Sequence, residues 1–308
     1  MSRVPPAPDI DPGSAREGLV CAIVAYGMWG FMPIYFKLLA FVDPWEMLAH
    51  RIVWAIPLGA VVIALRKQWG EVKAALRHRE TLSLLVTASL LIGANWMVYI
   101  YAVQRGEIFQ ASLGYYINPL MSVLAGVLVF GERLRTGQIL ALGFATVGVS
   151  VLTLGRGEVP VLALALAVTF TIYGVIRKRV AVGAMPGLFV ETLILLPGAA
   201  FIGFWLAATG QPDFGAGNSG VSMALVLAGP LSVMPLLFFA LAAKRLPLST
   251  MGFLQLMGPT IQFFIGLYFG EPFNTTTAVA FAFIWFAVAL FISDAWRSAR
   301  RRIPVNLS

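Results

Sequence analysis

LGYYINPLMSVLAGVLVFGE (113–132) and MGFLQLMGPTIQFFIGLYFGE (251–271) read as two copies of one segment. Each opens on a hydrophobe, a glycine and an aromatic residue, holds a proline inside an apolar run, and closes on Phe-Gly-Glu. Pro119 and Pro259 stand 140 residues apart, and Glu132 and Glu271 stand 139 apart. The second copy has two extra residues before its proline and one fewer after it. The offset extends outward: Arg51 is followed six residues later by Pro57, and Glu191 six later by Pro197, again 140 apart. Trp29-Gly30 and Tyr173-Gly174 give a weaker match. Duplication on this scale predicts two similar halves, an arrangement common among membrane carriers.

The composition places those halves in a membrane. Of 308 residues 59% are hydrophobic and 12% charged, against about 25% charged in soluble domains. Thr81–Gln104, Ile108–Gly131, Thr136–Gly155, Leu246–Gly270 and Pro272–Ser293 carry no charge. Each reaches the roughly 20 residues that span a bilayer as a helix. Ten such segments are expected: 18–37, 45–65, 82–104, 108–130, 137–155, 159–176, 187–208, 221–243, 247–269 and 275–296. Hydrocarbon forces backbone groups to bond within the structure, which predicts helices, and the short alternating segments of a barrel are absent from the sequence. The expected fold class is an all-α polytopic membrane protein of ten transmembrane helices in two inverted five-helix repeats.

The net charge of +8 is explained by where the basic residues fall. With ten crossings and the N-terminus inside, 18 of the 22 Lys and Arg lie in cytoplasmic segments, from Arg3 and Arg16 through Arg297 and Arg300–Arg302. Lys37, Arg105 and Arg156 lie outside, and Arg51 lies within a helix. This is the positive-inside pattern, with both termini cytoplasmic, and it makes a nucleic-acid partner unexpected. Residues 1–17 read as a polar, proline-rich cytoplasmic tail and 297–308 as a basic one. Between them lie the halves 18–155 and 158–296. Five crossings per half turn the second copy over, so the Glu132 loop is expected inside and the Glu271 loop outside. Inverted halves predict alternating access.

At the level of motifs the chain resembles the EamA family of the drug/metabolite transporter superfamily, and within it the RarD-like subgroup. The stretches that carry the resemblance are AYGMWGFMPIYFK (25–37), AHRIVWAIPL (49–58), LIGANWMVYIYAV (91–103), ASLGYYINPL (111–120) and FGERLR (130–135). In the second half they are TIYGVIRKR (171–179), ETLILLP (191–197), STMGFLQLMGPT (249–260), FGE (269–271) and FAFIWFAVALFISD (281–294). The resemblance runs from Glu17 to Asp294 and implies a ten-helix inner-membrane permease without supplying a substrate or a mechanism.

Arg51 and Glu191 are the charges best placed inside spans. A charge at mid-membrane costs about 2.5–3.5 kcal/mol on insertion scales, so it marks a pathway or a paired site; the plainer alternative is snorkelling or a structural contact. Because the halves are inverted, the two are expected on opposite sides of the midplane, each lining its own part of a cavity and not bridging directly. His50 beside Arg51 is read as a packed or hydrogen-bonded side chain before a functional one. Further candidates for a substrate pathway are Trp29, Asn95 with Tyr99 one turn on, Tyr115 with Asn118, and Gln255, which shares a face with Gln262. Such polar and aromatic groups either orient a small solute or bond neighbouring helices. Gly114, Pro119, Gly252 and Pro259 are hinge candidates, since proline frees a carbonyl one turn earlier. Pro57, Pro197, Pro230 and Pro235 share that ambiguity, and Gly126 and Gly266 read as close-packing positions.

The expected function is therefore a secondary transporter, a permease or exporter of a small metabolite or drug-like solute. Two alternatives remain: a flippase-like carrier of a lipid-linked group, and a non-transporting membrane receptor or scaffold. No His-Glu-x-x-His pair, intramembrane aspartate pair or P-loop is present in the sequence, so an enzyme is not expected. Cys21 is the single cysteine, which excludes an internal disulfide or a cysteine metal cluster. No cofactor and no metal site are expected. The expected partners are the lipid bilayer and a small-molecule substrate, and the sequence does not specify an oligomeric state.

Overall fold

Amides buried in hydrocarbon have no water to bond, and the long uncharged runs meet that demand as helices. The computed structural model describes residues 12–131, 134–210, 212–243, 245–246, 250–251 and 254–301. Among the described residues there are helices and no strands: α1 (Pro12–Leu38), α2 (Pro44–Leu65), α3 (Trp69–Arg77), α4 (Arg79–Gln104), α5 (Ile108–Phe130) and α6 (Thr136–Arg156), followed by α7 (Val161–Arg179), α8 (Ala184–Thr209), α9 (Ser219–Ala243), α10 (Met257–Tyr268) and α11 (Thr275–Arg301). Nine of these are long and apolar enough to cross a membrane, all except α3 and α10.

Two elements depart from expectation. The ninth segment was expected over 247–269, yet α10 has 12 residues, about 18 Å at 1.5 Å per residue. The backbone turns at Gln255 and Leu256, and Pro259 sits in the first turn of α10. Proline has no N–H for the carbonyl four residues back, and the first turn of a helix tolerates it because that bond is absent there anyway. Pro119, its counterpart in the first copy, stays inside the unbroken α5. α3, in turn, occupies a stretch expected to be a basic loop. Val72 and Ala75 on it are buried, and the Trp69 ring meets Phe189 edge-on with centroids 5.7 Å apart. At the termini, α1 begins at Pro12 and α11 runs to Arg301, so the helices reach into both expected tails.

Helix ends are finished by specific groups. Asp43 accepts the Trp45 amide at 2.8 Å and Pro44 leads α2, a regular N-terminal cap. Both Phe-Gly-Glu motifs stop a helix: Gly131 (φ +65°) and Gly270 (φ +74°) adopt the left-handed conformation that glycine enters without a Cβ penalty. Glu132 lies outside the described residues.

The main interfaces join helices of the first half to helices of the second. α1 packs on α9 and α10, α2 on α8 and α9, α4 on α7 and α8, α5 on α7 and α10, and α6 on α11. Small residues permit the closest approaches. A Cβ on Gly229 of α9 would lie 2.1 Å from the Trp54 carbonyl carbon of α2, and one on Gly148 of α6 would lie 2.9 Å from the Ala280 carbonyl oxygen of α11. The expected packing role of Gly266 holds as well, with the Phe109 ring 2.8 Å from its would-be Cβ.

Backbone cannot move aside as a flexible side chain can. Gly229→Ala is therefore expected to cost about 3 kcal/mol, the upper part of the usual overpacking range, seen as a lower Tm of the purified protein. Gly143→Ala, with open space at its Cβ, is expected to leave Tm unchanged or slightly raised.

Candidate functional site

Arg51 lies two turns into α2 and is 7% exposed. Its guanidinium carbon sits 4.5 Å from the Trp96 ring centroid and 5.8 Å from that of Phe36. Tyr35, Tyr99 and Tyr115 complete the surroundings, all within electrostatic reach of the charge. Tyr99 ties the rings together, 5.9 Å from Phe36 and 5.6 Å from Tyr115 between centroids. Four helices thus converge on one cation: α1 supplies Tyr35 and Phe36, α2 Arg51, α4 Trp96 and Tyr99, and α5 Tyr115. Cation–π contact stabilises such an arrangement by about 2 kcal/mol when desolvated. Among the described residues no carboxylate is within 4.0 Å of Arg51, and its Nε, the Tyr99 hydroxyl and the Asn118 Oδ1 are buried without a hydrogen bond.

Glu191 on α8 is buried in a different setting. Arg177 Nη1 stands 3.4 Å from one carboxylate oxygen, and the Tyr173 hydroxyl donates to the other at 3.2 Å. Arg177 fits there because residue 187 is glycine; a Cβ would fall 2.1 Å from Nη1. The expectation that Arg51 and Glu191 do not bridge directly agrees with this, since each has its own surroundings. By sequence Arg177 falls among the cytoplasmic basic residues, and in the structure it lies in the last turn of α7. Tyr173 and Arg177 are four apart on α7 and share a face, which is the pattern that points to Glu191.

The remaining candidates divide. Asn95 spends its amide on α7, donating to the Leu166 carbonyl at 3.0 Å and to Thr169 Oγ1 at 2.9 Å, and so ties α4 to α7. Gln262 donates to the Trp29 carbonyl at 3.2 Å, tying α10 to α1. The Trp29 ring packs with Tyr26 and Phe239, apart from the Arg51 cluster. Gln255 lies exposed at the turn before α10. Gly114 packs against α7, its would-be Cβ 2.8 Å from the Ala163 carbonyl oxygen, and Pro259 accepts the Ser112 hydroxyl at 2.8 Å. Gly252 lies outside the described residues. The structure therefore gathers Arg51, Tyr99 and Tyr115, and adds Tyr35, Phe36 and Trp96. Trp96 and Tyr99 are three apart on α4, a same-face spacing.

Two further carboxylates act on backbone. Glu46, one turn before His50, accepts the Asp213 and Phe214 amides at 3.0 and 2.9 Å, holding the α8–α9 loop against α2. His50 Nδ1 accepts the Trp54 indole N–H at 3.0 Å, and its ring lies 4.7 Å from Phe214. The hydrogen-bonded reading of His50 is the observed one. Glu271 accepts the Ile108 and Phe109 amides, the latter at 2.7 Å. Those are the first two amides of α5, so the second Phe-Gly-Glu caps a helix of the first half. A cleft of about 540 Å³ opens between α2, α4 and α7, lined by Pro44, Trp45, Met97, Tyr101, Arg105 and Leu162 among others. Arg51 is not in its wall.

Residues 16–154 match the EamA-like transporter family. The chain is 44% identical over 295 residues to an uncharacterized transporter of Vibrio cholerae, covering 94% of this chain and 98% of the other. It is 39% identical to the Protein RarD of Escherichia coli, covering 95% and 99%. A solved crystal structure superposes with a TM-score of 0.59 at 20% identity, covering 89% of this chain and 96% of the other, which is a likeness of fold.

Removing one member of a buried ion pair strands the other at a cost of about 3–5 kcal/mol. Arg177→Met is expected to lower Tm sharply, and Arg177→Met with Glu191→Leu to recover most of that loss; additive losses would contradict the pairing. Glu271 gives a pH dependence. Burial raises its pKa from 4.5 to about 7, opposed by the Phe109 and Ile108 amides and by Lys37, with Glu107 adding to the rise. A proton is thus bound more tightly with the cap closed than with it open. The resulting stabilisation is complete below 4.5 and lost as pH rises through about 7. Hydrogen exchange at Ile108 and Phe109, corrected for intrinsic rates, should show protection falling over that window, and Glu271→Gln should flatten the profile.

Proposed function

This chain belongs to the EamA-like transporter family, in its RarD-like group, and on that premise we propose that it is a secondary carrier of a small metabolite or drug-like solute. It works by alternating access between two inverted five-helix halves, residues 18–155 and 158–296. The halves are α1, α2, α4, α5 and α6, and α7, α8, α9, α10 and α11.

One observation supports this most strongly. Exchanging each spanning helix with the one five crossings later maps the main interfaces onto one another. α1–α9 goes to α4–α7, α1–α10 to α5–α7, and α2–α9 to α4–α8, while α2–α8, α5–α10 and α6–α11 each pair a helix with its own counterpart. That is the pseudo-two-fold pattern of inverted repeats. The charged centres follow it, Tyr35 beside Arg51 in one half and Tyr173 beside Glu191 in the other. The carrier is a multi-pass protein of the bacterial inner membrane, and the distribution of Lys and Arg supports cytoplasmic termini. The solute passes through the Arg51 cluster where α1, α2, α4 and α5 meet, and Pro119 and the break before Pro259 let the paired helices α5 and α10 adjust.

In a Cys21→Ser background, a cysteine at Lys73 should label only after the inner membrane is permeabilised and one at Asn274 should label from outside. The reverse result would overturn the orientation. Cells overproducing the protein should differ in exported metabolites from cells producing normally inserted Arg51→Gln; identical profiles would overturn the assigned path.

A further inference from the structure

Among the described residues three charged side chains are buried: Glu46, Arg51 and Glu191. Glu46 has two backbone amides and Glu191 has Arg177 and Tyr173. Arg51 alone of the three faces only neutral groups. Rings at Trp96 and Phe36 satisfy the face of a guanidinium, where cation–π attraction acts. They do nothing for its N–H donors, which lie in the guanidinium plane and are strongest toward an anion. The Arg51 Nε and the Tyr99 hydroxyl are both buried without a hydrogen bond, and the two side chains are within electrostatic reach of one another. Leaving such donors empty in a low-dielectric interior is costly.

We propose that the Arg51 cluster binds the anionic group of an organic solute, a carboxylate or sulfonate, whose ring or apolar body lies against Trp96, Tyr99 and Tyr115. The anion supplies the counter-charge that no described residue provides, and the Tyr99 hydroxyl gives it a second donor. The surrounding rings favour a flat or apolar body over a small hydrated ion, and the guanidinium repels a cation. This substrate class rests on the carrier reading above, and the two are separable by experiment.

Purified full-length protein in phosphatidylcholine nanodiscs would be titrated with benzenesulfonate, its neutral isostere benzenesulfonamide, benzyltrimethylammonium, and sodium chloride. Benzenesulfonate is expected to raise Tm and to change tryptophan fluorescence saturably, the fluorescence change being lost in Trp96→Phe. Arg51→Gln should weaken that binding at least tenfold, Tyr99→Phe several-fold, and Arg51→Lys less than Arg51→Gln; Lys73→Gln should leave it unchanged. If Arg51→Gln does not fold, Arg51→Lys and Tyr99→Phe carry the comparison. Equal responses to the sulfonamide or the ammonium, saturation by chloride alone, or no saturable binding of benzenesulfonate would each overturn the proposal. Proteoliposome flux separates it from the carrier reading. Benzenesulfonate binding without flux would uphold the anion site and count against the carrier, whereas solute flux unchanged by Arg51→Gln would uphold the carrier and overturn the anion site.

Discussion

A polar group placed in hydrocarbon must find its partner inside the protein, and this one constraint organises the chain from backbone to site. It makes the long runs helical. It then acts again wherever a helix stops, because the first amides of each helix lack an intrahelical acceptor. Asp43 answers for α2 locally, while Glu271 answers for α5 across the two halves. Glu46 does the same for the loop between α8 and α9. Asn95 and Gln262, which look like binding residues on a helical wheel, spend their amides on neighbouring helices for this reason. Arg51 is set apart by the same rule, since rings surround it and its in-plane donors remain unmatched.

Close approach of the two halves depends on the absence of side chains as much as on their presence. Gly229 brings α9 onto the α2 backbone at Trp54, three residues from Arg51, and Gly114 brings α5 onto α7 one residue from Tyr115. The two halves then differ where their chemistry differs. One holds a cation among rings and the other a carboxylate with its arginine, and a proline lies within α5 while its counterpart begins α10.

Much of this is legible in the sequence. Nine helices long and apolar enough to cross a membrane and the bonded state of His50 follow from hydropathy and local spacing. The ninth segment reads as continuous because hydropathy does not register the turn at Gln255 and Leu256. α3 was hidden by its charges, although Trp69, Val72 and Ala75 keep a helical spacing. The pairing of Arg177 is not legible in the sequence, because its partner is 14 residues away on the next helix, a distance that no helical-wheel argument spans.

What the sequence by itself determined is the class of molecule: a helical membrane protein with a repeated motif, with charges rare enough inside the spans that Arg51 and Glu191 stood out. Those properties depend on local hydropathy and backbone bonding, which a single stretch of chain decides alone. Only the tertiary structure decided which charges are paired, which amides are spent on helix packing, and which rings enclose Arg51. These are contacts between residues tens to hundreds of positions apart. They exist because glycines on facing helices admit close approach, and because each buried polar atom takes the partner that the packing brings within reach.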